Sequence, residues 1–413
     1  MSTPKRCDLS RGIATGPDTV TFHLTAADPD FLFKLALPIA DAVPASTPLD
    51  ARLPLPATGP YEIAEIDAKR PKRAVIHLVR NPHFHLWSAA AQPDGFPDEI
   101  IERFGYSAEH AVDAVERGTA DLTGDGLDYT WSAPLTARLR TRYSSRLYHA
   151  PIPGTTAVWL NTKLPPFDDR RVRQALNYAV DRNHLIELAG GTDIAQVGCQ
   201  LLPPNTDGYR RYCPYTLHPD AAGTYNGPDL AKARRLVAAS GTRGQSVTVW
   251  FYDVRIGLLN GAYFVSVLRS LGYDARLEII PHEGSTWRPD RQAGVGGATE
   301  DFPSANGFFS PTFSCRAYDP GRPNENLNVA AFCDRRIDAE MSRARDLQTT
   351  DPPAASRLWS EIDRRLTLEA LWVVIRTDLA PDFVSRRTGN YTYCYLSDVT
   401  GSTGACLDQL WVR

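Results

Sequence analysis

The sequence predicts an α/β protein, and three observations carry that expectation. Beyond residue 165, apolar residues at helical spacing alternate with short β-branched runs. The 413 residues are 43% hydrophobic and 23% charged, enough for a buried core and for roughly two to three domains. Two adjacent prolines, Pro165 and Pro166, separate the alternating part from a proline-rich first part.

Taken in order, residues 19–24 (TVTFHL) alternate and predict a strand. Residues 38–60 hold six prolines and predict an irregular connection. Residues 73–80 (RAVIHLVR) read as a second strand, stopped by Asn81-Pro82. A helix should start at Ser107, with Ala111, Val112 and Val115 on one face and Gly118 as its stop. Residues 157–161 (AVWLN) form a short strand leading into the proline break.

Beyond the break, residues 168–188 predict one strong helix, with Val172, Leu176, Ala179 and Ile186 in helical register and Gly190-Gly191 after it. Pro228 opens another helix and Gly241 closes it. Residues 247–252 are a strand, 258–271 a helix ending at Gly272, and 275–280 a strand. Two more helices, near 335–347 and 354–368, follow a Gly/Asn/Pro-rich stretch, and 377–413 read as strands and loops.

The formal net charge of −3 provides no basic field for nucleic acid. No apolar run approaches the ~20 residues of a bilayer span. The best stretch, 31–40, is interrupted by Lys34 and Pro38. The opening MSTPKRCDLS carries positive charge, but no apolar core of a secretory signal follows it. Phosphate-loop, zinc-protease and nucleophile-elbow signatures are missing, and no cofactor is implied. The run from Asp121 to Gly126 has the start of a calcium loop, but Ser132 stands where the bidentate Glu belongs, so it reads as a turn. His83 and His85 flank Phe84 and read as two exposed polar positions in preference to a metal grip. The arginines Arg170, Arg171 and Arg173, and Arg364 with Arg365, read as solvated helix faces.

Six of seven cysteines form close pairs: Cys199 with Cys213, Cys315 with Cys333, and Cys394 with Cys406. Disulfides, hence an oxidising compartment, are the favoured reading. Each bridge would contribute on the order of 3 kcal/mol. Structural zinc lacks its C-x2–4-C spacing here, and reduced buried thiols are the other rival. Cys7 is left over.

The segment 294–315 (GVGGATEDFPSANGFFSPTFSC) combines glycines, the carboxylates Glu300 and Asp301, several aromatics and one end of an expected bridge. It reads as a pinned loop able to grip a cationic group, or else as a surface loop with Asp301 capping a turn. Trp159, Trp250 and Tyr252, large aromatics on short strands, are either core or pocket wall.

Several stretches together resemble one family: ATGPYEI (57–63), NPHFHLW (81–87), PDEI (97–100), PPFDDRRVRQALNYAVDR (165–182), DLAKARRLVAASG (229–241), EDFPSANGFFSP (300–311) and FCDRRIDAEMSRA (332–344). The chain resembles bacterial extracellular solute-binding protein family 5, the receptors of peptide and nickel ABC transporters. That resemblance implies a two-lobed, periplasmic-binding-protein-like type II fold. Residues 1–165 would be a partial lobe I, 166–376 lobe II, and 377–413 the return to lobe I. Crossovers are expected near residues 163–167 and 377–382. Family members begin with a signal sequence and further strands, so the first lobe is expected to be incomplete at its N-terminus and to expose apolar surface.

The implied role is capture of a peptide-like or other small solute between the lobes, outside the cytoplasm, for ABC permease subunits. No enzymatic activity is implied. A motif similar to G-W-x-A-D-Y supplies an aspartate for the peptide α-ammonium in peptide-binding relatives. The matching residues here are 297–302, so Asp301 inherits that role, while Ala298 and Glu300 depart from the motif. Phe302, Tyr252 and Trp159 are expected as pocket walls. A sensor module on the same fold, a hydrolase using Cys315 or Cys333, and a polypeptide that binds nothing are the alternatives.

Overall fold

The computed structural model describes residues 9–48, 56–67, 69, 73–124, 131–281, 285, 287–322, 326–394 and 405–413. Cys7 and the last two residues of the run from Asp121 to Gly126 lie outside them.

A short hairpin of β1 (Ile13–Thr15) and β2 (Val20–Phe22) precedes α1 (Phe31–Leu35). Three antiparallel strands follow: β3 (Tyr61–Asp67), β4 (Val75–Arg80) and β5 (Glu99–Arg103). Helix α2 (Ala108–Glu116) begins where Ser107 accepts a hydrogen bond from the His110 amide, as its sequence predicts. Next come α3 (Ala133–Tyr143), β6 (Leu147–Pro151), β7 (Gly154–Leu160), α4 (Arg170–Ala179), α5 (Arg182–Ala189) and β8 (Ala195–Val197). Then α6 (Leu230–Ser240), β9 (Ser246–Tyr252), α7 (Arg255–Leu271), β10 (Asp274–Ile280) and β11 (Ala293–Thr299) alternate. The chain finishes with α8 (Ala305–Phe313), α9 (Arg335–Thr350), α10 (Pro352–Leu368), β12 (Trp372–Phe383), β13 (Thr388–Gly389) and β14 (Trp411–Val412).

The main sheet runs β10-β9-β11-β7-β12-β6, with β8 also on β12. β9 pairs in parallel with β10 and β11, and the remaining pairings are antiparallel. Successive side chains of a strand face opposite ways. On β7, Val158 and Leu160 therefore enter a core with Val249, Phe251, Phe264 and Leu268, while Ala157 and Trp159 enter another with Phe308, Phe309, Trp359 and Trp372. With both faces covered, these strands read as nearly continuous apolar runs. A third core joins Val112, Leu139, Leu147, Ile194 and Phe383 around β6 and the end of β12. Each large side chain so buried contributes roughly 1.5–3 kcal/mol.

Three expectations need correction. The helix expected over 168–188 is two helices, because Asp181 accepts hydrogen bonds from the Asn183 and His184 amides and starts a new one. That break sends Arg182 into the core, where its guanidinium donates to the carbonyls of Asn177, Gly198, Tyr215 and Val374. Arg173 is buried, not solvated: it pairs with Glu369 at 3.6 Å and donates to the Phe167 carbonyl. The pinned loop expected at 294–315 contains β11 and α8. Pairing of β11 with β7 along its whole length supplies the order that its glycines lack intrinsically.

The three expected disulfides are present, joining Cys199 to Cys213, Cys315 to Cys333 and Cys394 to Cys406. Beside the first, the fully buried Asp363 of α10 accepts from the Gln200 side-chain amide (2.6 Å) and the Leu202 backbone amide (3.1 Å). Burial raises its carboxyl to about 6, above its ordinary 3.8. The folded protein therefore holds this proton between pH 4 and 6 while the unfolded chain releases it. The associated stability is complete below about pH 4 and is lost as pH rises through 6. Relative to Asp363→Asn, the wild type should lose about 2–3 kcal/mol between pH 4 and pH 7, measured by urea unfolding at both values. Equal pH slopes for the two proteins would show that Asp363 is ionised in the fold.

Candidate functional site

β6 ends at Pro151 and β7 starts at Gly154, so only Ile152 and Pro153 separate strands that serve different cores. Alongside, β12 pairs with β7 through Trp372–Arg376 and with β6 through Leu379–Phe383. A cavity of about 250 Å³ lies at this junction, lined by Ile152, Gly154, Thr155, Thr156, residues 296–299 and Asp378.

Its floor is main chain. A Cβ at Gly297 would collide with the Thr155 carbonyl oxygen, and one at Gly154 would lie 2.9 Å from the Ala298 oxygen. Glycine lets β7 and β11 approach here and leaves peptide groups facing the space. The polar edge belongs to Asp378, which accepts from Thr156 Oγ1 (2.5 Å) and Arg376 Nε (2.5 Å). Both oxygens of this carboxylate are thus occupied by protein donors.

The exit of β11 forms the rim. The Glu300 amide donates to the Pro153 carbonyl at 2.7 Å, and the buried Glu300 carboxylate accepts from the Thr206 hydroxyl. Asp301 follows directly and is exposed. Phe302 turns inward and stacks on Phe33, with ring centroids 5.8 Å apart and planes 9° from parallel.

None of the four expected site residues is among the residues that line the cavity; Asp301 and Phe302 follow two and three positions after Thr299, the last of β11 to line it. Trp159 is 1% exposed, packed in the core beneath Gly294 and Gly296 and opposite Trp372. Tyr252 is half-buried at the end of β9 and does not line the cavity. His83 and His85 line a separate cavity of about 300 Å³ with Phe84 and Trp87. No cluster of three or more metal-ligating side chains exists among the described residues. Cys315 and Cys333 are bridged, so neither offers a thiol. Sequence reasoning missed Thr156, Asp378 and the glycine floor, although Gly294, Gly296 and Gly297 within one β-run signal a close backbone approach.

The profile described as "Bacterial extracellular solute-binding proteins, family 5 Middle" matches residues 7–320. The chain belongs to that family. Among its relatives, the glutathione-binding protein GsiB of Salmonella paratyphi A is 25% identical over 255 residues, 59% of this chain and 45% of that protein. A probable di/tripeptide-binding protein of Pseudomonas aeruginosa is 26% identical over 314 residues, covering 73% and 53% of the two chains. This family 5 chain thus spans about half the length of the curated relatives it matches.

Solved structures show the same two-lobed architecture. Clavulanic acid biosynthesis oligopeptide binding protein 2 superposes with TM-score 0.80 at 24% identity, over 98% of this chain and 72% of that one. DppA of Helicobacter pylori, in complex with the peptide STSA, gives 0.71 at 17%, over 97% and 73%. No helix among the described residues is long and apolar enough to cross a membrane.

The glycine floor yields a prediction for this family 5 protein. Gly297→Val should separate β11 from β7 and lower the melting temperature by about 2 °C, the shift that roughly 2 kcal/mol causes in a chain of 413 residues. An unchanged melting curve in scanning calorimetry would show that the β7–β11 approach tolerates a side chain.

Proposed function

We propose that this protein is an extracytoplasmic solute-binding protein of an ABC importer, which captures a short peptide between its lobes and presents it to the permease subunits. One observation carries the reading: an exposed carboxylate, Asp301, follows two residues after Thr299, which lines a cavity beside the place where two chain passes cross. The peptide's α-ammonium pairs with Asp301. Its main chain lies against the peptide groups of β7 and β11, and Phe302 holds the rim in place. Family membership and the peptide- or glutathione-binding relatives support this class of ligand. The role is binding, with no bond made or broken.

The two passes are the hinge. We place the lobe boundaries at residues 151–154 and 376–379, about twelve residues before the proline break for the first of them. Beyond Gly154 the side chains serve the two cores of the main sheet, and before Pro151 they serve the core around β6. A ligand touching both lobes favours the closed form by its differential affinity for the two states, and that form is what a permease can recognise.

Di- and tripeptides with free amino termini should raise the melting temperature and bind in titration calorimetry. Their N-acetylated counterparts, and Asp301→Asn with the free peptides, should each bind at least about tenfold more weakly, a loss of roughly 1.4 kcal/mol. Equal affinity for acetylated and free peptides would remove the ammonium–carboxylate pair, and a panel without any binder would remove the peptide reading.

A further inference from the structure

Asp30 is completely buried, although Leu32 and Ile39 close by in sequence are exposed. Its carboxylate reaches side chains more than 270 positions away. Oδ1 accepts from Ser304 Oγ (2.8 Å) and Gln348 Nε2 (3.2 Å), and Oδ2 accepts from Asn306 Nδ2 (2.7 Å). Three residues on, Phe33 supplies the ring that lies on Phe302. Ser304 is doubly engaged, since its hydroxyl also accepts from the Gly307 amide and so caps α8.

Residues 301–303 are in neither helix nor strand, so the position of Asp301 depends on its two ends. Upstream, Glu300 is tied to Pro153 and Thr206. Downstream, Phe302 and Ser304 are held by Phe33 and Asp30. A buried carboxylate facing only neutral donors must keep them or return to water. The contact is therefore made fully or not at all. The exposed Lys34–Asp28 pair beside it, at 2.6 Å, contributes little by comparison.

We infer that Asp30 is a positioning residue for the ligand loop, and that the segment 28–34 is an outer clamp that sets where Asp301 stands. The affinity part of this inference rests on the role proposed for Asp301; the clamp itself does not.

The test uses the full chain and two readouts, amide hydrogen exchange without ligand and calorimetric affinity for trialanine. Asp30→Asn keeps one acceptor oxygen for Ser304 and Gln348 and sets an amide against the Asn306 donor, and Phe33→Leu removes only the stacked ring. Both should speed exchange at residues 302–308 at least about tenfold while leaving β7 and β12 protected. Trialanine should bind about tenfold more weakly to either. The swap Asp30→Asn with Asn306→Asp restores a carboxylate–amide pair and should recover both readouts to within about threefold. Unchanged loop exchange in both single variants overturns the clamp. A loosened loop with undiminished trialanine affinity overturns the positioning role. Should the wild type bind no peptide, the proposed function fails, and the exchange data alone decide the clamp.

Discussion

Strand β12 is the constraint on which the rest of the molecule depends. Twelve residues at about 3.3 Å each span roughly 40 Å, long enough to pair with two partners end to end. Its first residues lie on β7 and its last on β6, and β8 joins at the changeover around Thr377. The register with β7 slips between Val374 and Arg376. Such a bulge bends a strand and adds twist. Curvature is thus introduced just before the changeover, next to the two-residue link between β6 and β7. Under the proposed lobe assignment these few residues are the hinge, and Ile152 and Asp378 among them line the cavity.

Adjacent carboxylates at the exit of β11 are put to opposite uses. Glu300 is buried, satisfied by Thr206, and anchored through its amide to Pro153. Asp301, one residue later, faces solvent. A half-turn of extended backbone separates a structural acid from an acid free to meet a cation. The anchoring makes the exposed position reproducible, because a bound ammonium gains little from a carboxylate that must first be ordered.

Much of the α/β part was legible because local signals agreed there. Asp229 caps α6 and Gly241 ends it in the left-handed region, Gly272 does the same for α7, and β9 and β10 carry period-two patterns. Legibility failed where tertiary contacts overrule composition. β11 looks like a loop because its glycines have no strand preference of their own, and only the neighbouring β7 and β9 make it one. The break before α5 hides inside an uninterrupted apolar period, and Arg182 carries no local sign that four carbonyls await it. Asp301 and Phe302 were singled out by a motif, whereas the residues that line the cavity, Thr156 and Asp378 among them, carry no such signature. Trp159 shows the limit of residue type as a guide, since a large aromatic on a short strand faces the core or the cleft according to one residue of register. Asp30 was invisible, because nothing near it in sequence announces partners 274 to 318 positions away.

A floor made of peptide groups has an evolutionary corollary. Main-chain donors and acceptors are the same whatever residue bears them, and the glycines at 154 and 297 cannot be exchanged without prising β7 from β11. New cargo preferences would have to be written into the rim and into whatever wall faces it, while the base stays constant. In the proposed role, such a division would let one scaffold change its ligand through a handful of loop positions.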